Sequence, residues 1–156
     1  MSAVIHTLHV VLAGAWLGGV VFTTAVVSPA LKELKWSEPE RVTVRSVIGR
    51  HYARVGTANL VLLLLFALLD GLFGGFVASL FTECALLAVL FGLVAAHGAY
   101  FGRRLVGLAE AEKEAGSAEE ARDLAERRQR LQERSLWVSR LTLLVSLAVM
   151  VLAVGV

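Results

Sequence analysis

Four long apolar runs divide this sequence and constrain its fold more than any other feature. They cover residues 3–31, 52–72, 76–102 and 135–156, approximately, and hydrophobic residues make up 57% of the chain. At about 1.5 Å of helix rise per residue, each run is long enough to cross a hydrocarbon core of about 30 Å. We therefore predict an all-α fold: an integral membrane four-helix bundle that forms a single domain over residues 1–156.

The polar links between these runs predict two further helical elements. In the first link, Ser37 and Glu40 have the spacing of a capping box, and valines then alternate with arginines. This pattern predicts an amphipathic helix at the membrane interface. The third link, residues 105–134, is rich in Ala, Glu, Arg and Leu and is interrupted at Gly116. We expect a cytoplasmic helical hairpin there.

The distribution of basic residues predicts the orientation. All fifteen lysines and arginines lie in the first link, in the third link or in the flanking turns of the spans. The positive-inside rule then places both basic links in the cytoplasm and both termini outside. We expect a multi-pass protein of the cell (inner) membrane that contacts the lipid bilayer. Acidic residues balance the arginines of the hairpin, so no nucleic-acid partner is expected.

Ionisable side chains within spans are costly and mark candidate sites. Near the outer ends of the spans lie His6, His9, Asp70, Glu83 and Cys84. Imidazole, carboxylate and thiol donors suit copper or zinc, and we predict a metal site formed by His6, His9, Glu83 and Cys84. Because Glu83 and Cys84 are adjacent, they point about 100° apart and at most one easily faces the site. Alternatively, His6 is an interfacial residue and Asp70 a solvated helix end.

A second layer of histidines lies nearer the cytoplasm. His51 begins the second run and His97 lies about two turns before the end of the third. Neighbouring antiparallel spans would bring them to similar depth, where two histidines can ligate a haem iron. His9 is a further candidate, for a separate haem. Alternatively, the glycines around His97 only allow close helix packing, and His51 lies among lipid headgroups.

Two segments resemble known families. His9, Trp16 and Gly19, in LHVVLAGAWLGGVVF, form an H-x6-W-x2-G pattern. This pattern resembles the copper-resistance D domain family and the bacterial four-helix protoporphyrinogen oxidase family, which binds haem b. The segment LFGLVAAHGAYFGRRLVGLAEAE, centred on His97 and Gly98, is similar to the third span of the oxidase family. The resemblance implies haem b with His97 and His9 as candidate ligands, and His51 joins them on its position in the second span alone.

Three functions follow from these observations. The first is a small haem b-binding membrane protein for electron transfer or haem handling, with a redox partner or quinone. If it is an enzyme, it would be a haem-dependent membrane oxidoreductase. The second is a copper-binding transport or resistance protein, and the third is a cofactor-free accessory subunit that docks through its hairpin. Four spans enclose little volume for a haem, which would suit a homodimer with the cofactor at its interface.

Overall fold

The computed structural model describes residues 2–155, and this part of the chain is helical with short turns and contains no strand. Four long helices, Ala3–Glu33, Glu38–Gly74, Ala78–Glu114 and Ala118–Gly155, are each long and apolar enough to cross a membrane. The predicted four-helix membrane bundle is therefore confirmed, and the protein is a multi-pass membrane protein in contact with lipid.

The first long helix changes its winding near its end. It consists of α1 (Ser2–Phe22), a π-helical segment π1 (Thr23–Val27) and α2 (Ser28–Glu33). Pro29 follows π1 closely, at the start of α2. A proline has no N–H to donate, and its ring clashes with the carbonyl four residues earlier. The wider π turn accommodates this ring without breaking the helix.

The second long helix, α3 (Glu38–Gly74), begins at the predicted capping box. The Glu40 carboxylate accepts hydrogen bonds from the backbone N–H and the hydroxyl of Ser37, at 2.8 and 2.7 Å. The structure differs from the expectation in one respect. The amphipathic stretch is not a separate interfacial helix but the N-terminal part of α3, because the sequence between Val42 and Leu60 contains no proline and a helix tolerates its isolated glycines, Gly49 and Gly56. Gly75 ends α3 with φ 96°, a conformation that glycine adopts without strain.

The third and fourth long helices form the predicted hairpin. The third consists of α4 (Ala78–Ala95), a second π-helical segment π2 (Ala96–Gly102) and α5 (Arg103–Glu114), and α6 (Ala118–Gly155) returns after a turn at residues 115–117. Arg128 Nε on α6 donates to Glu112 on α5 at 2.7 Å, and Gln132 donates to Glu38 on α3 at 3.3 Å. The first bond joins the two arms of the hairpin, and the second attaches the hairpin to the start of α3.

The core lies where α1, α3, α4 and α6 meet. Its fully buried leucines are Leu60, Leu63, Leu80, Leu87 and Leu90. Trp16 is buried among them, and its Nε1–H donates to the Ser146 hydroxyl at 2.8 Å. Gly19 leaves no void for a flat cofactor, since the Tyr52 ring fills the space that its side chain would occupy.

The bundle has two distinct ends. We call the end with the start of α1, the turn at residues 75–77 and the last turn of α6 the turn end. The opposite end, which carries α5 and the first half of α6, is the hairpin end.

Candidate metal centre

Four ionisable side chains converge inside the bundle at the turn end. His6 and His9 lie on α1, and their spacing of three residues puts them on one helix face. Asp70 lies in the last two turns of α3 and Glu83 in the first two turns of α4. Because α3 and α4 are joined by the turn at residues 75–77, both carboxylates reach the depth of the histidines.

His9 is the centre of this group. Its side chain is fully buried, and its Nε2–H donates to Glu83 Oε1 at 2.7 Å; the Glu83 side chain is fully buried too. An imidazole that donates from Nε2 leaves a lone pair on Nδ1 when the ring is neutral. His9 Nδ1 is buried, lies 3.7 Å from Asp70 Oδ2, and has no hydrogen-bond partner within residues 2–155.

His6 and Asp70 complete the arrangement. His6 Nδ1 lies 3.0 Å from Asp70 Oδ2, and one donor atom from each of His6, His9 and Asp70 lies within 4.8 Å of the others. In tetrahedral zinc with bonds of about 2.0–2.1 Å, neighbouring ligand atoms are about 3.3 Å apart. The distances of 3.0 and 3.7 Å from Asp70 Oδ2 to the two histidines lie on either side of this value.

The carboxylates of this group lack the usual basic partners. Across the described residues, no lysine or arginine lies within 4.0 Å of Asp70 or Glu83, and only the histidines do. Glu83 Oε2 is buried without a hydrogen-bond partner as well. Buried carboxylates without compensating charge are strongly disfavoured in an apolar interior. The cluster therefore needs positive charge, which either protonated histidines or a cation would supply.

The structure brings together only part of the predicted metal site. His6 and His9 lie side by side, and Glu83 contacts His9 from the far edge of its ring. Cys84 is partly buried and packs against the apolar core, outside the group of donor atoms. Asp70 was weighed as a solvated helix end, but it is 9% exposed and takes the place expected for the thiol. Its signal in the sequence was its position at the same end as both histidines.

The three predicted haem ligands do not converge on one iron. Along α3, Asp70 is 19 residues from His51, about 28 Å of helix rise. His9 therefore lies at the opposite end from His51, and Glu83 already occupies its Nε2. His51 is exposed near the hairpin end, where its Nδ1 donates to the carbonyl of Val47 at 3.0 Å. His97 is exposed in π2, with its ring centroid 6.3 Å from that of Phe101.

A family comparison corrects the resemblance drawn from the sequence. The family model that matches, over residues 11–114, is described as Domain of unknown function (DUF4149). No match to a copper-resistance D family or a protoporphyrinogen oxidase family accompanies it, so the resemblance was wrong. A short His-Trp-Gly pattern misled because Trp16 and Gly19 serve helix packing here. No curated protein and no solved structure matches the chain significantly.

Proposed function

Since the chain belongs to the DUF4149 family, a family without an assigned function, we propose its function from the geometry: it binds a divalent transition-metal ion within the membrane bundle. His6, His9 and Asp70 are the ligands, and Glu83 orients His9. The observation that carries this proposal is the buried His9 ring, held at Nε2 by Glu83 and left without a partner at Nδ1 beside Asp70.

The arrangement around His9 has the features of a metal-bound histidine. Histidine ligands commonly donate their second ring N–H to a carboxylate, which fixes the tautomer and makes the ligating nitrogen more basic. Glu83 supports this role, since it accepts from Nε2 at 2.7 Å. The free lone pair on Nδ1 then faces Asp70, which is the side where the other donors lie.

Charge balance supports a divalent ion. With both histidines neutral, Asp70 and Glu83 bring two negative charges into the interior of the bundle, and a divalent cation cancels both. Ionisable groups inside membrane spans are retained when they pair with one another or bind an ion. The same charge sum disfavours a monovalent ion, which would leave one carboxylate uncompensated.

The donor set favours zinc(II) or copper(II). Two imidazole nitrogens and a carboxylate oxygen are borderline ligands, whereas copper(I) prefers soft thiolate and thioether sulfur. Cys84, the only cysteine of the chain, packs against the core instead of joining the donors. We propose zinc(II) as the ion bound, with copper(II) binding more tightly in vitro, as the usual affinity order requires.

The proposed orientation rests on the basic residues, not on the site. The hairpin end carries the arginines and lysines of both polar links. The positive-inside rule supports a cell-membrane protein whose hairpin end is cytoplasmic and whose metal centre lies near the outer surface. Impermeant maleimide would label a cysteine placed at Gly74 in a Cys84→Ser background from outside intact cells; labelling only after lysis would reverse this orientation.

Haem b binding by His97, His9 and His51 stays a prediction, as do electron transfer with a redox partner or quinone and a homodimer. His51 and His97 are exposed on neighbouring long helices, so a haem between them would lie at the bundle surface. An absorption spectrum of the purified protein, oxidised and reduced, tests this directly. A Soret band that is lost in His97→Ala would support haem.

Metal titration of the purified protein tests the main proposal. The protein is prepared in detergent without a histidine tag, stripped with chelator, and titrated with zinc(II) by calorimetry. We expect one ion per chain, and Asp70→Asn and His6→Ala should lose more than the roughly 10–100-fold typical of an outer-shell partner. His51→Ala and Cys84→Ser are matched controls that should bind as the wild type does. Equal affinity in Asp70→Asn, or no binding by the wild type, would overturn the proposal.

A further inference from the structure

The ligand count leaves the proposed metal incompletely coordinated. One donor atom each from His6, His9 and Asp70 forms the group, and no fourth His, Cys, Asp or Glu joins it within the described part of the chain. Structural zinc sites are four-coordinate and closed by protein ligands, whereas sites with three protein ligands hold a water or a substrate in the fourth position. The count is therefore that of an open site.

Glu83 does not fill the open position. It contacts the Nε2 edge of His9, while the metal would lie at the Nδ1 edge of the same ring. With a metal–nitrogen bond of about 2.0–2.1 Å and the ring between them, Glu83 Oε1 lies about 6–7 Å from the metal. A carboxylate held on the opposite edge orients the histidine and does not ligate the ion.

The open side of the group faces out of the bundle. His9 and Glu83 are fully buried, Asp70 is 10% exposed at its side chain, and the His6 side chain is 36% exposed. His6 also lies only four residues from the start of α1, about 6 Å of helix rise. A small solute from the aqueous phase at the turn end can therefore approach the metal past His6.

We infer that the metal held by His6, His9 and Asp70 keeps one exchangeable coordination position at its His6 side, which takes water or a small oxygen- or nitrogen-donor solute. This inference rests on the proposed function. An ion with such a position can bind and polarise an incoming ligand as a Lewis acid, which a closed structural site cannot do.

Cobalt(II) substitution with azide as the probe tests the inference. Cobalt(II) replaces zinc(II) in the stripped, untagged protein, and its visible absorption reports the ligand set. Azide should shift the bands saturably, with one azide per cobalt, in the wild type, in the His51→Ala control and in Glu83→Gln. Asp70→Asn should bind too little cobalt to give the spectrum.

The outcomes separate the two proposals. Stoichiometric cobalt whose bands do not respond to azide would overturn the open position and leave metal binding intact. A response confined to Glu83→Gln would overturn it as well, since Glu83 would then be the fourth ligand in the wild type. Failure to bind any cobalt would overturn the proposed function and this inference with it.

Discussion

The effect of Asp70→Asn on the free energy of unfolding distinguishes a metal centre from a network of ion pairs among the histidines and carboxylates. The two accounts predict changes of opposite sign. In a network, protonated histidines would neutralise Asp70 and Glu83, and removing one partner of such a buried arrangement costs about 3–5 kcal/mol. In an empty metal centre the histidines are neutral, and Asp70 is instead a buried carboxylate without a cationic partner. Its replacement by the neutral, similarly shaped asparagine removes a desolvation cost of several kcal/mol.

The two accounts also differ in their response to zinc. A ligand at about 100 times its Kd stabilises the folded state by about 2.7 kcal/mol. For a chain of 156 residues, 1 kcal/mol corresponds to a shift of roughly 2–4 °C in Tm. We therefore expect zinc to raise the Tm of the wild type by about 5–11 °C and that of Asp70→Asn by about 1 °C or less.

Thermal unfolding in detergent, followed by tryptophan fluorescence with chelator and with excess zinc, measures both effects. With chelator, Asp70→Asn should melt at or above the wild-type Tm. His51→Ala, an exposed histidine far from the cluster, should behave as the wild type in both conditions. A chelator-treated Asp70→Asn that melts several degrees below the wild type, together with a wild type insensitive to zinc, would refute the reasoning and establish the network.

Three further predictions concern single contacts. Glu83→Gln keeps an acceptor for the histidine but loses its charge, so zinc should bind about 10–100-fold more weakly by calorimetry; unchanged affinity would exclude an orienting role. Ser146→Ala leaves the N–H of Trp16 unpaired in the core and should cost about 0.6 kcal/mol of unfolding free energy in detergent, and at most about 1.7 kcal/mol, the average and the maximum for hydrogen bonds between membrane helices. Arg128→Met removes the 2.7 Å bond to Glu112, and hydrogen exchange should accelerate in residues 105–134 and stay unchanged in the spans; equal acceleration in both regions would contradict a local role.

The layout of the bundle was predictable because lipid imposes simple rules on sequence. Uncharged runs of about twenty residues can hardly avoid forming spans. A capping box at Ser37 and an interruption at Gly116 then locate helix ends from local chemistry alone. The continuity of α3 was not predictable in this way, because an amphipathic segment can lie along the interface or extend a span with the same local pattern.

For the candidate site, the sequence predicted only the depth of the side chains along the membrane normal. Sequence position places His6, His9, Asp70 and Glu83 near one end of the spans. It does not fix the rotation of each helix about its axis, which decides whether Glu83 or its neighbour Cys84 faces the histidines. That rotation comes from packing across the bundle, where leucines of four helices interlock. Asp70 was left out of the predicted metal site for a different reason, because a carboxylate near the end of a helix can equally be solvated.

Because α3 is one continuous helix, a tilt at one of its ends moves the other end. Glu38, which bonds the hairpin, and Asp70, in the proposed metal centre, lie on one continuous helix, 32 residues apart. At about 1.5 Å per residue this arm is about 48 Å long, and a tilt of about 3° about one end displaces the other by about 2.5 Å. This displacement exceeds the length of a zinc–ligand bond of about 2.0–2.2 Å. A partner that displaces the hairpin on one side of the membrane would therefore tilt α3 and change the distance between Asp70 and the proposed ion near the other side.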